Sequence, residues 1–483
     1  MSKPPSDTAP RSELDRVLAA CDAQADAAEQ RLVELLKIPS VSTDPAYTSA
    51  IGQAAAWVCD HLAASGLEAR VVEGEGHPVV LATTPSELVE DDRVDAEPVL
   101  FYGHYDVQPP DPQDKWTSPA FEPAVRDNPD GVDGPAVFAR GASDDKGQVM
   151  CFLEALRAYR EAGVKLPLPV TVLIEGEEEC GSVGLAPMLE AHRETLAARA
   201  CLVSDTSMWD SPDGPVPAIC YGLRGLLYFD LKLHGPSRDL HSGVYGGTIP
   251  NPATQLVRVL GRLFDDQHRV AIPGFYDDVP EPDPLEKQRW RDLGFDERAY
   301  VESIGVASPF GEAGRTTLER RWTRPACDVN GLYGGYMGEG GKTVIPTFAG
   351  AKVSFRLAAH QDPHRIAEDF RGWLMSHDVG GLRWEISEHG KAHPVATPTD
   401  SPAVHAVSQA VEDETGRPPA LVREGATIPV VADLQRVLHL DTVLLGFGLN
   451  SDHIHSPDEH FGLRRFHLGR RTYVRALRSL ASS

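Results

Sequence analysis

Four short apolar runs constrain this 483-residue chain more than any other feature: Val99 to Tyr102, Val170 to Ile174, Cys201 to Val203 and Thr442 to Leu445. Each run is continuous rather than alternating, and helical patterns such as Val149 to Tyr159 lie between them. Continuous runs of this length suit strands buried on both faces, as in a parallel sheet covered by helices. The fold class is therefore α/β. In such sheets ligands bind outside the carboxyl ends of the strands, so the residues that follow each run say most about function.

Between about Gly222 and Lys391 the pattern changes. "LLYFDLKLHG" alternates like a half-exposed strand, "NPATQLVRVLGRLFDD" has helical spacing, "AKVSFRLA" alternates, "DPHRIAEDFRGWLMSH" is helical again and "LRWEIS" closes the series. One more strand near Asp328 to Tyr333 completes a β-α-β-β-α-β order, the ferredoxin-like split arrangement. Residues 222–391 thus form an inserted α+β domain, and residues 1–221 and 392–483 form the two parts of the α/β domain. The stretch from His268 to Thr323 yields only one helix, around Pro284 to Leu293.

Composition narrows the function classes. Hydrophobic residues make up 41% of the chain, ample for a core, and 46 Lys and Arg against 71 Asp and Glu leave a formal charge of -25. A chain so acidic has little affinity for phosphate backbones or anionic membrane surfaces. Seven cysteines without a CxxC pair suit a reducing compartment, so the expected location is the cytoplasm. The opening MSKPPSDTAP has no apolar core of a signal peptide, no later run approaches a membrane span, and a disordered start is expected. Ser12 then caps a helix carrying Leu14, Val17 and Leu18.

The strand exits hold the chemistry. His104 and Asp106 follow the first run, Glu177, Glu178 and Glu179 the second, Asp205 the third, and Asp452, His453 and His455 the fourth. "ARGASDDKGQ" adds Asp144 and Asp145 ahead of a helix. Singly, each has an ordinary explanation as a solvated pair, a charged face or a helix cap. Together at one sheet edge these carboxylates would repel unless something positive sat among them. Histidine and carboxylate donors without thiolate suit zinc, manganese or cobalt at a catalytic site. If His104, Asp144, Glu179, Asp205 and His455 are all ligands, three carboxylates face two divalent ions and leave one positive charge over, which a bridging hydroxide would balance. In an extended segment Asp106 lies on the same side as His104 and can orient its second ring nitrogen. Gly176 and Gly181 let Glu178 and Glu179 diverge, one to ligate and one to address the water.

"GHYDVQP", "RGASDDKG", "EGEEECGS", "SDT" and "HSPDE", in that order, resemble the five metal-site segments of the M20 metallopeptidases. "YGLRGL", "DLHSGVYGG" and "KTVIP" resemble the branch of cytosolic nonspecific dipeptidase and carnosinase. The resemblance implies that His104 and Asp205 hold one metal ion, that Glu179 and His455 hold the other, and that Asp144 bridges them, with a cis peptide bond after Asp144. It implies Glu178 as general base, Asp106 as the partner that orients His104, and His241 as an oxyanion-stabilising group reaching across a homodimer. Arg356 and Thr343 would bind the substrate's terminal carboxylate, with His389 and Thr427 as further substrate contacts, although "EHGKAHP" and "GATIP" depart from the commoner Gly-rich forms. The inserted domain would serve as lid and dimerisation domain. Asp205 in place of glutamate points to dipeptides. The implied activity is hydrolysis of dipeptides with two divalent ions, foremost Zn2+, the alternative being an N-acyl amino acid deacylase or carboxypeptidase of the same family.

Overall fold

The computed structural model describes residues 12–128, 131, 134–211 and 214–483; the MSKPPSDTAP segment lies outside them. Ser12 caps the first helix, Glu13–Ala23, through a reciprocal pair of bonds with Asp15. Two compact units emerge. One holds the chain up to Tyr221 with Thr397–Val422 and Asp433–Ser483. The other holds Gly222–Ala396 with Arg423–Ala432. The second unit thus starts at Gly222 and also takes in a short segment from near residue 427, which Arg423 ties to Glu286 at 2.8 Å and Thr427 to the Arg224 carbonyl at 2.6 Å.

In the first unit the four apolar runs are four adjacent parallel strands, in the order Val170–Glu175, Val99–His104, Ala200–Val203 and Thr442–Gly446. Every residue of these strands is buried, which explains why the runs are continuous. Antiparallel strands extend the sheet on both sides: Val79–Thr83 and Glu68–Val72 beyond the first, Ala218–Leu223 beyond the last. The helix Lys146–Ala162 packs against this sheet with Leu463–Ser482. Phe101 stacks on Phe152 with centroids 3.9 Å apart, and Tyr473 meets both edge-on. Because the parallel strands all run the same way, His104 and Glu175 end their strands at the same edge.

The second unit has the expected split arrangement. Its four-stranded antiparallel sheet has the order Ala326–Gly334, Phe348–Leu357, Gly225–His234 and Arg383–Ala392. The helices Pro252–Leu260 and Pro363–Met375 pack on a core that includes Leu227, Phe229, Leu231, Phe355 and Phe370. The first of these helices ends at Leu260 rather than running through "GRLFDD", because Gly261 takes the cap position. The helix near residue 284 spans Pro284–Asp292, and two more follow, Glu297–Ser303 and Thr317–Trp322. Gly222 pairs with Ala396 and Leu223 with Val395, so the unit's entry and exit segments are hydrogen-bonded neighbours. No helix among the described residues is long and apolar enough to cross a membrane, and all seven cysteines are unbridged.

Candidate metal centre

The strand-exit residues of the first unit converge. Asp144 sits between two histidines: its Oδ1 lies 3.1 Å from His104 Nε2 and its Oδ2 lies 3.0 Å from His455 Nε2. Asp205 Oδ2 stands 4.0 Å from His104 Nε2, and Glu179 Oε1 stands 3.2 Å from His455 Nε2. Two groups of donors result, His104 with Asp144 and Asp205, and Asp144 with Glu179 and His455; within each, all donor atoms lie within 4.8 Å of one another. Asp144 belongs to both and turns one oxygen to each. The peptide bond after it is cis.

Local structure holds these side chains in place. The fully buried Asp106 accepts the amides of Glu178 and Glu179 through its two oxygens, at 3.2 and 3.1 Å. His104 Nδ1 faces the same residue, 3.1 Å from its carbonyl and 3.3 Å from its carboxylate. Asp106 therefore fixes both the ring of His104 and the turn Glu178–Cys180 that carries Glu178 and Glu179. Gly181 closes that turn at a φ of 101°, open to glycine at little cost. Gly176 serves by its missing side chain instead, since a Cβ there would fall 2.2 Å from the Tyr105 hydroxyl. Gln108 donates to Glu179 Oε2 at 2.7 Å and leaves Oε1 facing His455.

Whether these residues fit a metal ion can be judged from their unused atoms. His104 Nε2 and Glu179 Oε1 are both buried without a hydrogen-bond partner, although each lies close to an opposite donor. Each lies within 3.2 Å of another atom of its own donor group, so a cation shared by that group would satisfy it. Buried polar atoms seldom go unsatisfied without such a reason. The titration behaviour agrees. Burial opposes charge on His104, but the carboxylates of Asp106, Asp144 and Asp145 override it and raise its pKa well above the usual value. The carboxylates of Asp144 and Glu179 push His455 up to about 10. Burial, then the negative charges of Asp144 and Asp145, raise Asp205 well above the carboxylate range. Burial and the neighbouring carboxylates push Glu178 up to about 7. Protons gather here because the cluster has an excess of negative charge, and hard or borderline divalent cations suit the same oxygen and imidazole donors.

Residues 100–479 match the sequence model described as Peptidase family M20/M25/M40. The chain belongs to that family. Cys-Gly metallodipeptidase dug1 of Schizosaccharomyces pombe is 29% identical to this M20 peptidase over 490 residues, spanning 98% of this chain and 99% of that one. The crystal structure of human carnosine dipeptidase 1 aligns with a TM-score of 0.80 at 27% identity, over 98% of this chain and 100% of that one. The metallo-carboxypeptidase Sso-CP2 from Sulfolobus solfataricus aligns with a TM-score of 0.82 at 29% identity, over 94% of this chain and 99% of that one.

The remaining residues singled out in the sequence lie in the second unit of this M20 peptidase. His241 is exposed; its Nδ1 accepts the Gly243 amide at 2.9 Å, and it pairs in register with Val344, next to Thr343. Arg356 donates through Nη1 to the Thr427 hydroxyl at 2.8 Å, and that hydroxyl donates in turn to the Arg224 carbonyl. Thr427 thus braces the Arg356 guanidinium. His389 is exposed, with its ring 6.2 Å from that of Tyr228. In the first unit, the sequence reasoning passed over Gln108, although "GHYDVQP" places it on the loop after His104. It also assigned no role to Asp452 or Glu459, which flank His455 and are fully buried.

Proposed function

We propose that this M20 peptidase hydrolyses the peptide bond of dipeptides with two divalent metal ions, foremost zinc, with manganese or cobalt also compatible with its donors. The sharing of Asp144 between two donor groups beside Glu178 carries this reading. His104 and Asp205 would hold one ion, Glu179 and His455 the other, and Asp144 both. Bound there, such a pair of ions supplies Lewis-acid polarisation of the scissile carbonyl and lowers the pKa of the attacking water. Glu178 takes the proton from that water and delivers it to the departing amine, a transfer that contributes roughly 10²- to 10⁴-fold in rate. Asp106 keeps His104 and the Glu178 turn in register with each other.

The second unit supplies substrate contacts and the homodimer interface. Arg356, braced by Thr427, binds the terminal carboxylate in two-pronged fashion together with Thr343, and His389 adds a further contact. His241 of the partner subunit stabilises the developing oxyanion. The unbridged cysteines favour a cytoplasmic setting. The preference for dipeptides draws on the dug1 and carnosine dipeptidase relatives.

A panel of free dipeptides, N-acetyl amino acids and longer peptides tests this reading. Cleavage of free dipeptides is expected to dominate. Release of C-terminal residues from long or blocked peptides with dipeptides untouched would instead place the chain with Sso-CP2-like carboxypeptidases or with deacylases. Mixing a His241→Ala subunit with an Asp106→Ala subunit should restore activity that neither homodimer has; absence of restoration removes the shared site.

A further inference from the structure

We propose that Glu459 is a positioning residue for the metal centre, a single buried carboxylate that fixes the relative places of three ligand-bearing segments. The inference rests on the reading of His104, Asp144, Glu179, Asp205 and His455 as metal ligands. Glu459 is fully buried. Its Oε1 accepts the main-chain amides of Ser143 and Asp144 at 3.0 and 3.1 Å, and its Oε2 accepts the Gly141 amide at 2.9 Å and Arg140 Nη1 at 2.7 Å. A carboxylate offers about four acceptor sites, and here all are taken. Three of the four donors are amides of the loop that ends in Asp144, one of them the amide of Asp144 itself, and the fourth is the Arg140 guanidinium. A carboxylate serving only to neutralise an arginine would face the guanidinium with both oxygens, as Glu154 faces the partly buried Arg31 at 2.7 and 2.6 Å.

The same group reaches two further segments. Arg140, held by Glu459, donates through Nη2 to the Pro109 carbonyl at 3.2 Å and lies over the Trp116 ring, whose indole N–H bonds the Pro110 carbonyl at 2.7 Å. That loop continues directly from His104 and Asp106. The third segment is the one that carries Glu459 itself, in which His455 lies between Asp452 and Glu459. Asp452 accepts the Ser143 hydroxyl at 2.8 Å and is gripped by Arg465. The His455 loop is thereby fastened on both sides of the histidine to the loop of Asp144. The 3.0 Å approach of His455 Nε2 to Asp144 is set by this double fastening, with no contact between Glu459 and either donor atom.

The test is metal binding by metal-free protein, titrated with Zn2+ or Mn2+ against a chromophoric chelator. Glu459→Gln keeps the side chain's shape but replaces an acceptor with an NH2 group that faces incoming N–H donors. Its metal affinity should fall about 10- to 100-fold, the usual effect of losing a group that orients ligands. Glu154→Gln, which weakens the partly buried ion pair with Arg31 elsewhere in the same unit, should keep wild-type affinity to within roughly twofold even where it lowers the melting temperature as much. Wild-type affinity in Glu459→Gln overturns the proposal, and so does an equal loss in Glu154→Gln. Should Glu459→Gln not fold, Arg140→Lys decides: it keeps a cation on Glu459 but gives up the second arm to Pro109, so affinity should drop several-fold, and an unchanged value overturns the proposal. Wild-type protein that takes up no divalent ion is a separate outcome, and it removes the ligand assignment beneath the inference.

Discussion

Replacing Asp106 with asparagine keeps the shape of a fully buried side chain and removes its charge. The carboxylate accepts the amide of Glu178 through one oxygen at 3.2 Å and that of Glu179 through the other at 3.1 Å, with His104 Nδ1 a further 3.3 Å from Oδ1. Asparagine has one acceptor oxygen. Whichever way its amide turns, its NH2 faces one of the two N–H groups, so one charge-assisted bond is lost and one buried donor is left unsatisfied. The first contributes about 1.5 to 3 kcal/mol and the second costs about 1 to 3 kcal/mol. With local relaxation recovering about half of that sum, roughly 1.2 to 3 kcal/mol remains, equivalent to about a 10- to 100-fold effect at 1.4 kcal/mol per factor of ten. Because the two bonds together hold Glu178 and Glu179, the effect of losing either should be divided between the rate at saturating metal and the metal affinity. Both are measurable on one preparation, by kcat with the best dipeptide and by chelator competition, with circular dichroism to show that the fold persists. A variant that keeps both quantities within about threefold of wild type would refute the reasoning that Asp106 organises this turn.

Glu178→Gln should retain its metal content while kcat drops by about 10²- to 10⁴-fold, and equal turnover would remove Glu178 as the base. Arg356→Lys keeps the charge but loses the planar fork braced by Thr427; KM for free dipeptides should rise about tenfold with a smaller change in kcat, and an unchanged KM would place the substrate carboxylate elsewhere. Burial pulls His61 down to about 4, although Glu154 lies 3.4 Å away, because Arg31 already occupies both oxygens of that carboxylate. The unfolded chain therefore takes up the proton first as the pH falls below 6.5, so stability is full above that value and declines toward pH 4. At pH 5 about 2 kcal/mol of it should be gone in denaturant unfolding, a slope that His61→Gln should lack; parallel curves for the two proteins would show that His61 is not held neutral.

The parts of the fold legible in the sequence were those whose burial is uniform or strictly alternating. Val99–His104 and its three parallel neighbours are buried at every position, so their apolar runs stand out. Gly225–His234 alternates along its whole length and was equally clear. Glu68–Val72, an edge strand with no buried residue, offered no such signal. The helix Thr317–Trp322 did carry one, since Thr316 and Glu319 form a reciprocal cap, but at 6 residues it is too short to show a repeat. At the site, the cluster could be read because acids and histidines recur after several buried strands of one sheet, where alone each would be ordinary. Glu459 could not, and Asp452 was singled out but without its role, because an acidic residue in a loop is ordinarily solvated, and nothing local in "SDHIHSPDEH" distinguishes an enclosed carboxylate from one facing water.

The side-by-side pairing of Gly222 with Ala396 and Leu223 with Val395 bears on how such a chain can change over time. To the α/β sheet, everything between those pairs is equivalent to an elongated hairpin turn, whose closure entropy grows only slowly with its length. Additions such as the helices Glu297–Ser303 and Thr317–Trp322 can therefore accumulate there at small cost to the host sheet. Divergence among relatives should concentrate inside that parenthesis, while the spacing from His104 to Asp205 stays nearly constant.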